Sequence, residues 1–366
     1  MSRRGLLDAD AHVLEPREMW ARYIDPPWKE QAPRIVRTDE RTELLTVAGK
    51  ALSPYSVSPL GAVGLQDVTD YDGNRAGGFD PRARLADMDA EGIERVVLYP
   101  TLGLFMGGVE DAALAAAIAR AYNDWLTDYC SAAPERLFAA AMVPLQDVEL
   151  AAQEIGRVGA RDCFRAVFVR PNPYAGRPLH TRRYDPVWSA CAEHDLVVGV
   201  HEGAVGNMPT AGVDRFDNLY FRHIVAHTFE MQVAVLSLIG GGVLERYPQL
   251  RFAFLEAGGG WIAAWLDRMD DHHRGIFGRF VPWLRLPPSE YFQRQCWISF
   301  EPDERTLPSV AGLIGVDRIV WGSDYPHVDA CFPGFVAALD RALVDLDPSA
   351  REQIRSRNAA SLYRLS

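Results

Sequence analysis

Eight short apolar runs, each of strand length and each separated from the next by a stretch of helical pattern, constrain this 366-residue chain more than any other feature. They are Leu6–Asp10, Glu94–Pro100, Phe138–Pro144, Arg165–Pro171, Leu196–His201, Leu250–Glu256, Cys296–Phe300 and Arg318–Trp321. Runs this uniformly apolar belong to strands buried on both faces, as in a parallel sheet wrapped by helices. Glu110 to Tyr129, rich in alanine, has the composition of one such helix. An open doubly wound sheet shows the same alternation, but no GxGxxG follows the first run, and eight units are the number that closes a parallel barrel. The expectation is an α/β protein built as one (β/α)8 TIM barrel over residues 1–366. Residues 34–79 break the rhythm: RIVRTD and ELLTVAGK read as a small hairpin, followed by a loop rich in Gly, Pro and Ser. This segment is expected to be an insertion after the first strand that shapes the pocket mouth.

Charge and cysteine content narrow the function classes. The formal net charge is −11 with the acids scattered, so no basic footprint exists for a nucleic-acid backbone. Met1 to Gly5 carries Arg3 and Arg4 but opens no long apolar run, which predicts a cytoplasmic protein without a membrane segment. The five cysteines are widely spaced and form no CxxC pair, so they read as reduced thiols.

The polar residues at the ends of the apolar runs carry the chemistry. In a strand, residues i and i+2 point the same way, so Asp10 and His12 project together with small Ala11 between them, and Glu15 follows close behind. His201 ends the fifth run and Glu256 the sixth. Asp324 and His327 follow the eighth in Trp321-Gly322-Ser323-Asp324-Tyr325-Pro326-His327. Each has an ordinary role open to it: His201 as a hydrogen-bonded core residue, Glu256 as a helix cap, Asp324 as a turn initiator. A barrel, however, builds its active site at the carboxyl ends of its strands, and all of these fall there. Imidazoles and carboxylates without a thiolate suit zinc, manganese or iron.

The order and spacing of these motifs resemble the amidohydrolase superfamily, in particular its decarboxylase-like branch, which includes the aminocarboxymuconate semialdehyde and resorcylate decarboxylases. The resemblance runs from Asp10-Ala11-His12 through Gly242-Val243-Leu244-Glu245-Arg246-Tyr247-Pro248 and Trp321-Gly322-Ser323-Asp324 to Asn358-Ala359-Ala360-Ser361-Leu362-Tyr363. It implies that Asp10, His12, His201 and Asp324 bind a catalytic divalent ion, and that Asp324 also handles a proton. Two departures stand out: an acid replaces the first histidine of the usual His-x-His, and Glu256 stands where a catalytic histidine is expected. His227, read as lying in the loop or first helical turn after the fifth strand, is the candidate substitute. Glu15, His227 and Glu256 bring the candidate ligands to seven, enough for a second ion.

Two activities follow as expectations. The first is a metal-dependent lyase or hydrolase that decarboxylates, or cleaves a carbon-carbon or acyl bond of, a hydrophobic carboxylated or β-keto substrate, with Asp324, His227 and Glu256 as catalytic groups. The alternative is a nonheme diiron monooxygenase on the same barrel. Arg170 and His327 are the candidate substrate contacts, and a homodimer is the expected assembly.

Overall fold

The computed structural model describes residues 5–203 and 206–365, so Arg3 and Arg4 lie outside the described residues. Eight parallel strands form the barrel: β1 (Leu6–His12), β5 (Ile93–Tyr99), β6 (Leu137–Met142), β7 (Phe164–Val169), β8 (Val197–His201), β9 (Phe252–Leu255), β10 (Cys296–Phe300) and β11 (Ile319–Trp321), neighbours in that order. Each corresponds to one of the eight apolar runs. The remaining strands, β2 (Arg34–Arg37), β3 (Glu43–Val47) and β4 (Lys50–Ala51), make a separate antiparallel sheet inside the expected insertion, which is thus one strand richer than a hairpin.

Every residue of β6, β8, β9, β10 and β11 is buried, because the barrel fills one face of each strand and the helices cover the other. Asp111 opens the helix Ala112–Cys130 by accepting from the amides of Ala113 and Leu114, and Asp147 does the same for the helix Val148–Gly159. The longest helix, Leu219–Gly240, follows β8 and is capped by Asn218. By length and composition it is apolar enough to cross a membrane, yet Ala226, His227, Met231, Ala234, Val235 and Leu238 are buried against the barrel.

The seam between β1 and β11 is joined differently from the others. No ladder is recorded there among the described residues; instead Ser323 N donates to the Asp8 carboxylate at 3.0 Å, Asp324 N to Asp10 O at 3.0 Å and His12 N to Tyr325 O at 2.7 Å. Gly322 permits this approach, since a Cβ there would stand 2.6 Å from that of Asp10. The seam thereby sets Asp10, His12 and Asp324 side by side.

Candidate metal centre

His12 and His201 end β1 and β8, and their hydrogen bonds fix which nitrogen faces inward. His12 Nδ1–H donates to Pro100 O at 2.9 Å and His201 Nδ1–H to Glu202 O at 2.6 Å. A carbonyl only accepts, so each ring presents Nε2 to the barrel axis, and the two Nε2 atoms lie 3.0 Å apart. Arg84, buried, donates to His12 O and holds the end of β1.

Three carboxylates complete the cluster. Asp10 Oδ1 lies 3.8 Å from His12 Nε2 and 3.7 Å from His201 Nε2, Asp324 Oδ1 lies 3.3 Å from His12 Nε2, and Glu256 Oε2 lies 2.8 Å from His201 Nε2. Despite these short distances, Asp10 Oδ1, Asp324 Oδ1 and Glu256 Oε2 are buried and complete no hydrogen bond. Asp10 groups with His12 and His201, and Asp324 and Glu256 with His12 and His327, two overlapping donor sets of the kind a cation takes. Glu256 and Asp324 are held in left-handed backbone conformations, φ 46° and 55°, unusual for residues other than glycine.

Electrostatics point the same way. Burial pushes the Asp10 carboxyl up to about 7, and burial together with the Glu256 charge pushes Asp324 well above the carboxylate range. Burial alone would lower His201, but Asp10 and Glu256 outweigh it and raise it to about 9. Glu256, facing His201 and His227, is held well below its ordinary value although burial opposes this. Without an ion the cluster retains protons; it is short of positive charge.

His227 corrects the expectation from sequence. It lies in the third turn of the long helix, buried, not in a loop or first turn. Its Nδ1–H donates to His223 O at 3.0 Å, turning Nε2 toward Glu256 Oε1 at 3.3 Å. His223, one turn earlier, stacks on it with ring centroids 4.1 Å apart and joins His227 and Glu256 in a second potential ligand set. This residue was missed, although His223-x-x-x-His227 has the spacing that puts two imidazoles on one helical face.

Glu15 and Arg170 also require correction. Both Glu15 carboxylate oxygens accept backbone amides, from Leu102 at 2.8 Å and Gly103 at 2.9 Å, so it caps the turn after β5 and belongs to none of the ligand clusters among the described residues. Arg170 is wholly buried, with Nη2 donating to Glu202 at 2.5 Å, Nη1 to Leu104 O at 2.8 Å and Nε to Asn172 at 2.9 Å. Its guanidinium braces the loop after β8 and does not face the cavity. His327 does: its Nδ1 lies 2.6 Å from Asp324 Oδ1 and its Nε2 3.0 Å from the Thr101 hydroxyl.

A cavity of about 500 Å³ opens above the cluster, with Glu256, His227 and His327 at its floor. Ser53, Tyr55 and Leu60 of the insertion form one wall, and Leu219, Tyr220 and Ile224 of the long helix form another. No lysine or arginine lines it among the described residues.

A parallel eight-stranded barrel whose strand ends gather histidines and carboxylates under an apolar cavity defines a metal-dependent barrel enzyme. Comparison with known proteins narrows this. The amidohydrolase family model matches residues 7–365, and the chain belongs to that family. It is 27% identical over 305 residues to the gamma-resorcylate decarboxylase of Rhizobium radiobacter, covering 77% of this chain and 86% of the relative. Among solved structures, an amidohydrolase from Mycobacterium avium subsp. paratuberculosis K-10 superposes with a TM-score of 0.81 at 23% identity, covering 99% of this chain and 100% of that one. A dihydroxybenzoic acid decarboxylase from Polaromonas sp. JS666, with bound manganese and the inhibitor 2-nitroresorcinol, superposes at 0.66 with 21% identity, covering 99% and 97%.

Proposed function

We propose that the protein is a metal-dependent, nonoxidative decarboxylase of an aromatic or similarly hydrophobic carboxylic acid, with manganese or another divalent ion held by Asp10, His12, His201 and Asp324. The observation that carries this reading is the cluster of two facing Nε2 atoms and buried carboxylate oxygens that complete no hydrogen bond, joined through Glu256 to the floor of an apolar cavity. Gamma-resorcylate decarboxylases among the relatives support the reaction class. A divalent ion held by these residues would supply positive charge toward a substrate carboxylate.

Loss of CO2 leaves an electron pair on the carbon that bore the carboxylate, and that carbon must take a proton. Asp324 and His327, 2.6 Å apart, are the pair placed to hold and deliver it; His327 lines the cavity, with Thr101 hydrogen-bonded to it. Glu256 places its two carboxyl oxygens against His201 and His227, beside the proposed ligands. In this reading the protein is cytosolic and dimeric; the exposed apolar Phe229, Val233 and Leu236 on the far side of the long helix suit a contact with a second copy.

One observation favours a second reading. Glu256 reaches His201 with one oxygen and His227 with the other, and His223 joins His227 and Glu256 in a further potential donor set beside the first. Two irons there would suit the monooxygenase alternative. Metal analysis of protein purified without chelator, followed by anaerobic assay on dihydroxybenzoates, separates the two. One ion per chain with CO2 release in the absence of oxygen supports the decarboxylase; two irons and strict oxygen dependence replace it with the oxygenase. Retention of metal by both His201→Ala and Asp324→Asn would dismiss the site itself.

A further inference from the structure

One face of the long helix runs from the metal cluster to the rim of the cavity. Tyr220, His223, Ile224 and His227 recur at spacings of three and four, the pattern of a single helical face, and all four line the cavity. His227 sits beside Glu256 at the floor, whereas Ile224 is 54% and Tyr220 69% exposed at the lip. Across the mouth Val328 also lines the cavity while being 52% exposed. Large apolar residues that are at once cavity wall and open surface form a ramp continuous with the site.

From Tyr220 to His227 the helix advances about 10 Å. A single-ring carboxylate bound at the cluster spans roughly 6 Å at ordinary bond lengths, so it leaves the outer part of the ramp uncovered. The walls there offer the hydroxyls of Ser53, Ser56 and Tyr55 but no cation, and Asp329 stands at the rim. A second anionic group on the substrate would meet hydroxyls and the His223 imidazole but no lysine or arginine among the described residues, and it would face the like charge of Asp329, which lies 3.7 Å from His223.

We infer that the substrate is larger than a simple hydroxybenzoate: a carboxylic acid whose body beyond the reacting ring is uncharged and apolar, reaching some four carbons further to rest on Ile224, Tyr220 and Val328. This rests on the reading of the cluster as the carboxylate-binding end, and it deepens that reading by setting the length and charge of the remainder.

The test is binding, not turnover, on the manganese-loaded protein. Titration calorimetry with 4-alkylbenzoates from methyl to hexyl should show affinity rising about threefold to fourfold per methylene up to about butyl and then levelling. In the Tyr220→Ser/Ile224→Ser double variant the affinity ratio of butyl to unsubstituted benzoate should fall at least tenfold. A flat series in the wild type, or a rise untouched by the double variant, overturns the inference. So does a wild-type dimer that the double variant converts to monomer while the alkyl series is unchanged, because the lip then belongs to a second copy. Weaker binding of 4-carboxybenzoate than of 4-ethylbenzoate is also expected, and the reverse order overturns the charge argument. Decarboxylation of dihydroxybenzoates with a flat alkyl series would refute only this inference. A rising series without CO2 release from any acid would refute only the reaction.

Discussion

Replacing Arg170 by methionine separates a structural arginine from a substrate-binding one. Arg170 and Glu202 pair with both side chains at zero exposure, and removing one member of a buried pair costs about 3–5 kcal/mol because the other charge is left alone. The loss falls toward the upper figure, since Leu104 O and the Asn172 side chain lose donors as well, and the second Glu202 oxygen already completes no hydrogen bond. With an unfolding entropy of roughly 2.1 cal/mol/K per residue, a chain of 366 residues converts this to a fall in Tm of about 4–7 °C. Removing both charges in Arg170→Met/Glu202→Leu should recover most of that fall, as apolar replacements of buried pairs commonly do. Calorimetry on manganese-saturated protein gives the Tm, and a benzoate titration on the same samples gives the affinity, which should stay within about threefold of wild type. A guanidinium that gripped the substrate carboxylate would be worth about 1.5–3 kcal/mol, at least tenfold in affinity. An unchanged Tm with a tenfold loss of benzoate binding would refute the bracing role.

Two further outcomes follow from buried acids. Glu15→Gln should leave the metal content unchanged and lower Tm by about 1–4 °C, the cost of one backbone amide losing its acceptor, and loss of an equivalent of metal would return Glu15 to the ligand set. Glu230 is raised from 4.5 to about 7, first by burial and then by the Glu202 charge, so the folded protein keeps a proton there that the unfolded chain releases. Its contribution to stability is therefore complete below about 4.5 and is lost as pH rises through about 7; Glu230→Gln should flatten the decline of stability across that window, and an identical slope in wild type and variant would show that Glu230 is not its source.

What the sequence discloses here is governed by range. Strand ends are local, so the apolar runs before His201 and Glu256 were enough to put both residues at the barrel mouth. Side chains past a strand end answer to distant partners. Glu15 reads from sequence as a candidate ligand, but the amides of Leu102 and Gly103, which come from a different strand's loop, compete for it and win. Arg170 was read as a substrate contact because nothing in its own segment reveals that Glu202 lies against it. His223 escapes the sequence reading for a simpler reason: with His227 placed in a loop or first helical turn, no helical turn is expected before it to carry a partner four residues back, whereas in the long helix that interval sets the two rings on each other.

The seam between the first and last barrel strands joins residues 315 apart in the chain through Asp8 and Ser323, and the ligands beside it, Asp10, His12 and Asp324, come from its two sides. An ion bound there is a clasp on a ring. A partial barrel lacking β11 presents Asp10, His12 and His201 but not Asp324, so the proposed four-ligand set is complete only once the ring is closed, across a loop whose ordering cost the rest of the barrel has already met. Opening at this seam parts Asp324 from the other three, so full four-ligand coordination is expected of closed barrels alone.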